Sequence, residues 1–470
     1  MVKNFLSVGF ANIVSQLMAF FVIAYYARII GKVEFGKVSL AQSILMYFTM
    51  ITLFGFQTYG TREISRNRKN TERLVGDIVS LRLIIASICF CIVCVIAVFA
   101  NKGVEFRNLL ILYGLTVFPL SFNIDWFFSG IQEMHHNALY NIIRNFVPFV
   151  LIMLLFKNKN RIYYIPIFTS IGLLFAVLYQ SYIYKSKQKL NYNLGIHKKV
   201  MLNYIKIASP FLISSLLSMI NCNMDSIIIG FLRSDAELGI YSSAYKIIFF
   251  LTNLIAVVFT PVFPVMIQYY NYNDKSYLNK LMDNVSKIVI MLAVPICVGG
   301  ILLSKEIIIL IFKQEYVSAH VPLSILLIYV LVLFMRETYG YALNAWNMER
   351  EYLKTVIISS MTNVVLNLIL IPLYGIVAAA VTTVISEILN YLFMQRYAFK
   401  VVKTNYMKNI IRVIMPTFIM VIGIIVMKLL NIHVIIDIVV SIIVYFSSIV
   451  IFKYMTLDEV KKFLKKKSGI

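Results

Sequence analysis

Apolar runs of 15 to 29 residues, separated by short groups of charged and turn-forming residues, fill the chain almost from end to end. A helix needs about 20 mostly apolar residues to cross a hydrocarbon core about 30 Å thick. Fourteen such runs are read, at 5–30, 38–60, 77–100, 107–130, 142–156, 163–184, 208–231, 240–268, 285–311, 318–341, 354–371, 375–398, 410–430 and 433–453. The fifth and eleventh are the shortest. The pattern predicts an all-α membrane protein of about fourteen transmembrane helices.

The polar punctuation orients these spans, because short cytoplasmic loops collect Lys and Arg. Arg62, Arg66, Arg68, Lys69 and Arg73 follow span two, and Lys185, Lys187, Lys189, Lys198, Lys199 and Lys206 follow span six. Arg396, Lys400, Lys403, Lys408 and Arg412 follow span twelve, and Lys461, Lys462, Lys465, Lys466 and Lys467 crowd the tail. The opposite loops are poorer, with Arg233 alone after span seven. Both termini are therefore expected in the cytoplasm, and the outer loops are too short to hold a catalytic domain.

The basic segment divides the chain. The expected organisation is a six-helix lobe at 1–184, a basic cytoplasmic linker at 185–204, a second six-helix lobe at 205–398, two further helices at 399–455 and a basic tail at 456–470. The lobes echo each other. Glu34, Gly36, Ser39 and Ala41 after the first span have the same mutual offsets as Glu237, Gly239, Ser242 and Ala244 after the seventh. Six spans per lobe make both enter the membrane in one direction, so the expected arrangement is two parallel-repeat lobes around a central cavity, a transporter architecture.

Composition agrees: 60% of residues are hydrophobic and 14% charged, with a mean hydropathy of +0.83. The net charge of +23 does not point to nucleic acid, since the basic residues are scattered over many loops and form no single footprint. Cys89, Cys91, Cys94, Cys222 and Cys297 lie within apolar runs and suggest neither disulfides nor a metal site. The first apolar run is long and lacks a small-residue exit, so no cleavable signal peptide is expected.

Charged groups inside spans are expensive and usually face a cavity or a partner. The basic candidates are Arg28, Arg82, Arg144, Lys246 and Arg336, and the acidic ones are Asp125, Asp225, Glu337 and Glu387. Those near span ends, Arg28, Arg82 and Arg144, are able to snorkel to the interface, while Arg336–Glu337 and Lys246 with an acidic neighbour are able to fix helix packing. Taken together, cations shared by both halves suggest a positively charged lumen. Such a lumen suits a pyrophosphate, which arginine grips in a bidentate way. The four carboxylates are the candidates for proton or sodium coupling. His135-His136 reads as a loop dipeptide without a metal partner at useful spacing, and Gly375, Ala379 and Thr383 read as a close-packing stripe. There is no phosphate-cradling glycine series, so neither ATP nor a cofactor is expected.

Several stretches are similar to the bacterial polysaccharide flippases, the O-antigen and capsule repeat-unit translocases (Wzx-type) of the multidrug/oligosaccharidyl-lipid/polysaccharide exporter superfamily. They are Ala27–Gly36 with Ser39-Leu-Ala-Gln-Ser43, Gly60-Thr-Arg-Glu-Ile64, Asp125-Trp-Phe-Phe-Ser-Gly-Ile131, Asn223-Met-Asp225 with Gly230, Gly239-Ile-Tyr-Ser-Ser-Ala-Tyr245, and Asn367–Gly375 with Ser386-Glu387. In this order they run from the first span to the twelfth. The resemblance implies two lobes around a cavity that opens alternately to each side. It also implies a substrate, an oligosaccharide on undecaprenyl pyrophosphate, carried from the inner to the outer leaflet of the bacterial cytoplasmic membrane. Cavity cations such as Arg28 would hold the charged head, and spans thirteen and fourteen would flank the lipid tail. Polymerase and chain-length proteins of the same pathway are the implied partners, beside the lipid-linked oligosaccharide and the bilayer.

Three other readings compete. A multidrug exporter of the same superfamily usually carries acidic coupling residues in its first span, where this chain has none. A membrane glycosyltransferase or polymerase, the enzyme reading, needs a large outer loop or an acidic catalytic cluster, and neither is present. A structural scaffold has no use for so many intramembrane charges. The chain is therefore expected to be a transporter and not an enzyme.

Overall fold

The computed structural model describes residues 2–68, 70–158, 161–195, 198–272, 274–452 and 454, with side chains described from residue 13 onward except at a few positions. The tail lysines, Lys69, and the side chains of Lys198, Lys199 and Cys222 lie outside the described residues. Every regular element among the described residues is helical. Among the described residues, ten helical stretches are long and apolar enough to cross a membrane, which makes this a multi-pass membrane protein. The chain forms two compact units, residues 1–242 and 243–470.

The first unit begins with α1 (Val2–Leu53), a 52-residue helix interrupted at Gly31, where φ is 80° and ψ is 171°. A straight helix of that length would run roughly 78 Å at 1.5 Å per residue, far more than a bilayer core. The helix instead turns back. The rings of Tyr26 and Phe35 are 6.0 Å apart, where a straight helix would separate them by roughly 13 Å along the axis. Only glycine enters this backbone region without strain, so spans one and two form a hairpin closed on one residue. Next come α2 (Phe56–Arg66), α3 (Thr71–Phe99), α4 (Gly103–Gly114), α5 (Val117–Ser121), α6 (Asp125–Gly130), α7 (His135–Leu155), α8 (Tyr164–Ser186) and α9 (Lys198–Leu232). The unit ends within α10 (Asp235–Thr252).

Two spans expected to be continuous are broken. The second is interrupted at Phe54 and Gly55, both with positive φ, and the fourth at 122–124. Around them Phe56, Tyr59, Ile64, Val75, Trp126, Phe127 and Tyr184 form a buried aromatic-rich core. His135 and His136, expected in a loop, open α7 instead.

Each repeat signature contributes one glycine to a close crossing in this unit. A methyl group on Gly36 would overlap the carbonyl of Asp235, and one on Gly239 would overlap the carbonyl of Lys32. The contact is reciprocal, since each glycine meets the residue four positions before the other, as at a local two-fold. Ion pairs surround it: Lys37 bonds Glu34 at 2.9 Å and also Glu105, Lys102 bonds Asp235 at 2.9 Å, and Arg233 bonds Glu237 at 2.9 Å.

The second unit contains the rest of α10, then α11 (Leu254–Phe259), α12 (Phe263–Asn271), α13 (Lys275–Leu302), α14 (Ser304–Phe312), α15 (His320–Ala345), α16 (Glu349–Ala398), α17 (Tyr406–Leu429) and α18 (Val434–Ile451). The eighth expected span is thus divided among α10, α11 and α12. The 50-residue α16 repeats the device of α1, with Gly375 at φ 64° and ψ −145°. Asn363 and Ser386, 23 residues apart, lie within hydrogen-bonding distance at 3.3 Å, so spans eleven and twelve also fold into a hairpin. α15 packs on α16 and α13, and α17 packs on α13 and α18.

Candidate functional site

Many of the polar groups inside the first unit gather at two helix breaks, after Leu53 and before Asp125. A break frees backbone carbonyls and amides that lipid cannot satisfy, so protein groups must do it. Arg82 of α3 is fully buried, and its Nη1 donates to the carbonyl of Asn123 at 2.6 Å, while Nη2 reaches that of Leu53 at 3.5 Å. One guanidinium therefore ties the break after α1 to the break before α6. Gln180 Oε1 accepts from the Ile124 amide at 3.2 Å, Asn123 Oδ1 accepts from the Asp125 amide at 2.9 Å, and Asn137 Nδ2 donates to the Asp125 carbonyl at 2.8 Å. The reading of Arg82 as a span-end residue that snorkels does not fit this burial.

Asp125 stands beside this staple. Its Oδ2 accepts from Gln57 Nε2 at 3.2 Å, and its buried Oδ1 has no hydrogen-bond partner among the described residues. Arg82 and Arg144 are both within electrostatic reach of it, so these three expected site residues do come together. Arg144 itself is exposed, as is Arg28, three residues before the Gly31 turn. Asp225 is elsewhere in α9, buried, bonded by the Tyr241 hydroxyl and by the Ser226 amide at 2.9 Å.

The second unit assembles Arg336, Glu337 and Glu387. Arg336 Nε donates to Glu387 Oε1 at 2.7 Å, and Nη1 lies 3.0 Å from Glu337 Oε1. One guanidinium thus serves two carboxylates, and Glu387 is 2% exposed. A ladder of neutral polar groups lies inside the α16 hairpin. Asn367 Nδ2 donates to Asn363 Oδ1 at 2.9 Å, Thr382 bonds Asn367, and Asn363 bonds Ser386. Lys246, on α10, is half-buried. Ala379 and Thr383 are buried, and the Thr383 hydroxyl returns to the Ala379 carbonyl at 2.8 Å, as a packing stripe requires.

A cavity of about 410 Å³ also lies in the second unit. Ile296, Leu327, Met420, Ile424, Ile442 and Phe446 are among its walls, and apart from Ser441 and Tyr445 the lining is apolar or glycine. α17 and α18, the thirteenth and fourteenth spans, supply one side.

Sequence reasoning confined to charges missed Gln57, Asn123, Gln180 and the asparagine ladder. A signal did exist: Asn363 and Asn367 are spaced i, i+4 within an apolar run, and such neutral groups also need partners in lipid. The pairing of breaks at Leu53 and Asn123 had no comparable signal, because it joins positions 70 residues apart.

Helical hairpins, broken spans and buried polar clusters define the class, a polytopic helical membrane protein. The chain is matched over residues 1–270 by the family model described as polysaccharide biosynthesis protein, and over 138–462 by that described as Lipid II flippase MurJ. It belongs to the polysaccharide biosynthesis protein family, the Wzx-type polysaccharide flippases of the exporter superfamily named above.

Among curated relatives, a Haloferax volcanii protein described as a low-salt glycan biosynthesis flippase is 25% identical, over 84% of this chain and 83% of its own. A Shigella dysenteriae protein described as an O-antigen transporter is 22% identical, over 84% and 99%. The Staphylococcus aureus capsular polysaccharide biosynthesis protein CapF is 24% identical, over 85% and 100%. Among solved structures, Lipid II flippase MurJ in an inward closed conformation superposes with a TM-score of 0.76 at 19% identity, covering 95% of this chain and 98% of that one. An inward-facing multidrug resistance MATE transporter gives 0.67 at 13%, covering 82% and 95%. These two likenesses establish the fold.

Proposed function

We propose that this flippase of polysaccharide or O-antigen type carries an oligosaccharide linked to undecaprenyl pyrophosphate from the cytoplasmic to the outer leaflet of a bacterial inner membrane. Alternating access would expose the head group to one side and then to the other. A sugar pyrophosphate cannot enter hydrocarbon alone, because each unpaired polar group there costs several kcal/mol. Arg28, Arg144 and Lys246 are the cations assigned to that head group in this proposal. Arg82 and Arg336, first expected in the same role, are buried against backbone carbonyls and against carboxylates respectively. The observation that carries the reading is the apolar cavity of the second unit, walled on one side by α17 and α18. The cavity beside α17 and α18 would receive the polyprenyl tail while the head passes.

Coupling to protons or sodium is part of the same proposal. Arg336 faces two carboxylates, so binding of one cation at Glu337 or Glu387 would neutralise the surplus negative charge. Asp125, with one unpartnered oxygen, and Asp225 are the corresponding carboxylates of the first unit. Both termini would lie in the cytoplasm, and the product would pass to the polymerase and chain-length proteins of the pathway.

The test is a strain deleted for the gene, assayed for surface glycan and for its lipid-linked precursor. Accumulation of precursor on the inner leaflet with loss of surface polymer is the expected result. Unchanged precursor and polymer with raised drug sensitivity would instead identify a multidrug exporter, and the substrate assignment would fall.

A further inference from the structure

The corner between α6 and α7 holds three potential metal ligands that the transport reading leaves without a use. Glu133, His135 and His136 each direct one ligand atom into a common space, and the three atoms lie within 4.8 Å of one another. His136 Nε2 is 3.4 Å from Glu133 Oε2. That separation is long for a hydrogen bond. It matches the spacing of about 3.3–3.6 Å between neighbouring ligand atoms in a tetrahedral site with metal–ligand bonds of about 2.0–2.2 Å.

The outer contacts are those a metal site needs. His136 Nδ1, the nitrogen facing away from Glu133, is held by the Tyr179 hydroxyl of α8 at 2.8 Å. Gln188, just past α8, donates to Glu133 Oε2 at 3.0 Å. Groups of this kind fix the ring orientation and the carboxylate of a ligating set. His136 is buried and His135 exposed, so one ligand is anchored while the other leaves a route of entry. The two imidazole rings are 3.9 Å apart and can serve one ion together as neutral ligands.

We propose that Glu133, His135 and His136 form a binding site for a zinc-class transition-metal ion, with a fourth position open to solvent. Two imidazoles and one carboxylate favour zinc, nickel or copper over magnesium or calcium, which prefer oxygen ligands. Lys187 lies within electrostatic reach of His136 and raises the cost of a second cation. A hard ion held by a single carboxylate would not offset that cost. A bound ion would clamp the α6–α7 corner to the side chains that α8 and its following loop bring there.

The experiment uses the full, untagged chain in detergent, stripped with chelator and then exposed to zinc chloride or, separately, magnesium chloride. Elemental analysis after desalting should find about one zinc per chain, with a saturable upward shift of the melting temperature and no response to magnesium. His135→Ala should retain at least tenfold less zinc while melting, metal-free, at the wild-type temperature, because that side chain is exposed. Glu133→Gln, which keeps shape and polarity at the carboxylate position, should weaken retention in the same direction. No retained zinc in the wild type would overturn the site. Retention unchanged in both variants would overturn it equally, by placing the ion elsewhere.

Discussion

Arg82 in α3 and Arg336 in α15 are both buried arginines within membrane-spanning helices, and as charges in apolar runs they look equivalent. Their surroundings differ in kind. Both terminal nitrogens of Arg82 go to backbone carbonyls at two helix breaks, leaving its buried Nε without a partner among the described residues, whereas Nε and Nη1 of Arg336 go to two side-chain carboxylates. The first arginine holds irregular backbone together, and the second balances ionisable groups. An intramembrane cation is therefore best interpreted by what its nitrogens touch. The largest expected effect tests this at Arg336. Arg336→Met strands two carboxylates and should lower stability by about 3–5 kcal/mol, since removing one partner of a buried ion pair leaves a charge uncompensated. Adding Glu387→Met should recover most of that loss, as measured by thermal unfolding in detergent. A double variant no more stable than the single one would show that the triad is not held by its charges.

How much of this was legible beforehand follows from the range of the interactions. Helix content came from composition, because a lipid solvent leaves few alternatives for an apolar run. The Glu34/Gly36 and Glu237/Gly239 echo also proved structural, since those glycines meet in the reciprocal crossing. Turn geometry was less legible. Gly31 reads as part of a family signature and Gly375 as part of a packing stripe, yet each reverses a helix of at least 50 residues with one non-helical residue. The breaks at Phe54–Gly55 and 122–124 were missed because each lies within a run read as one continuous span, although the residues after them, Gln57, Thr58 and Asp125 among them, are polar. Of the candidate site, the charged residues and the Arg336–Glu337 pair were found, but the second carboxylate of that arginine was not. Glu387 lies 51 residues from Arg336, and nothing in one sequence selects it over Asp225.

At Arg82 the same comparison predicts a different pattern of rescue. Arg82→Met should cost roughly 2–4 kcal/mol, because a buried acceptor left without a donor costs about 1–3 kcal/mol. No single change of a carboxylate should restore it. Asp125→Asn added to Arg82→Met should remain as unstable as Arg82→Met, since the unsatisfied groups are the carbonyls of Asn123 and Leu53. Recovery on removing the Asp125 charge would instead make Arg82 a second ion-pairing arginine and erase the distinction between the units.

The smallest effect on stability, and the sharpest on function, is expected at the third arginine. Arg28 is exposed on the first arm of α1 while its neighbours Tyr26 and Ala27 are buried. Arg28→Ala should change stability by no more than about 0.5 kcal/mol, the ordinary range for an exposed position, and should insert at wild-type levels. Surface glycan should nevertheless disappear if this guanidinium grips the pyrophosphate. Arg28→Lys should restore only part of the output, because an ammonium replaces a bidentate fork with a point charge. The measurement is surface polymer normalised to the amount of membrane-inserted protein. Normal output from Arg28→Ala would remove this residue from the head-group site and leave Arg144 and Lys246 to carry that role.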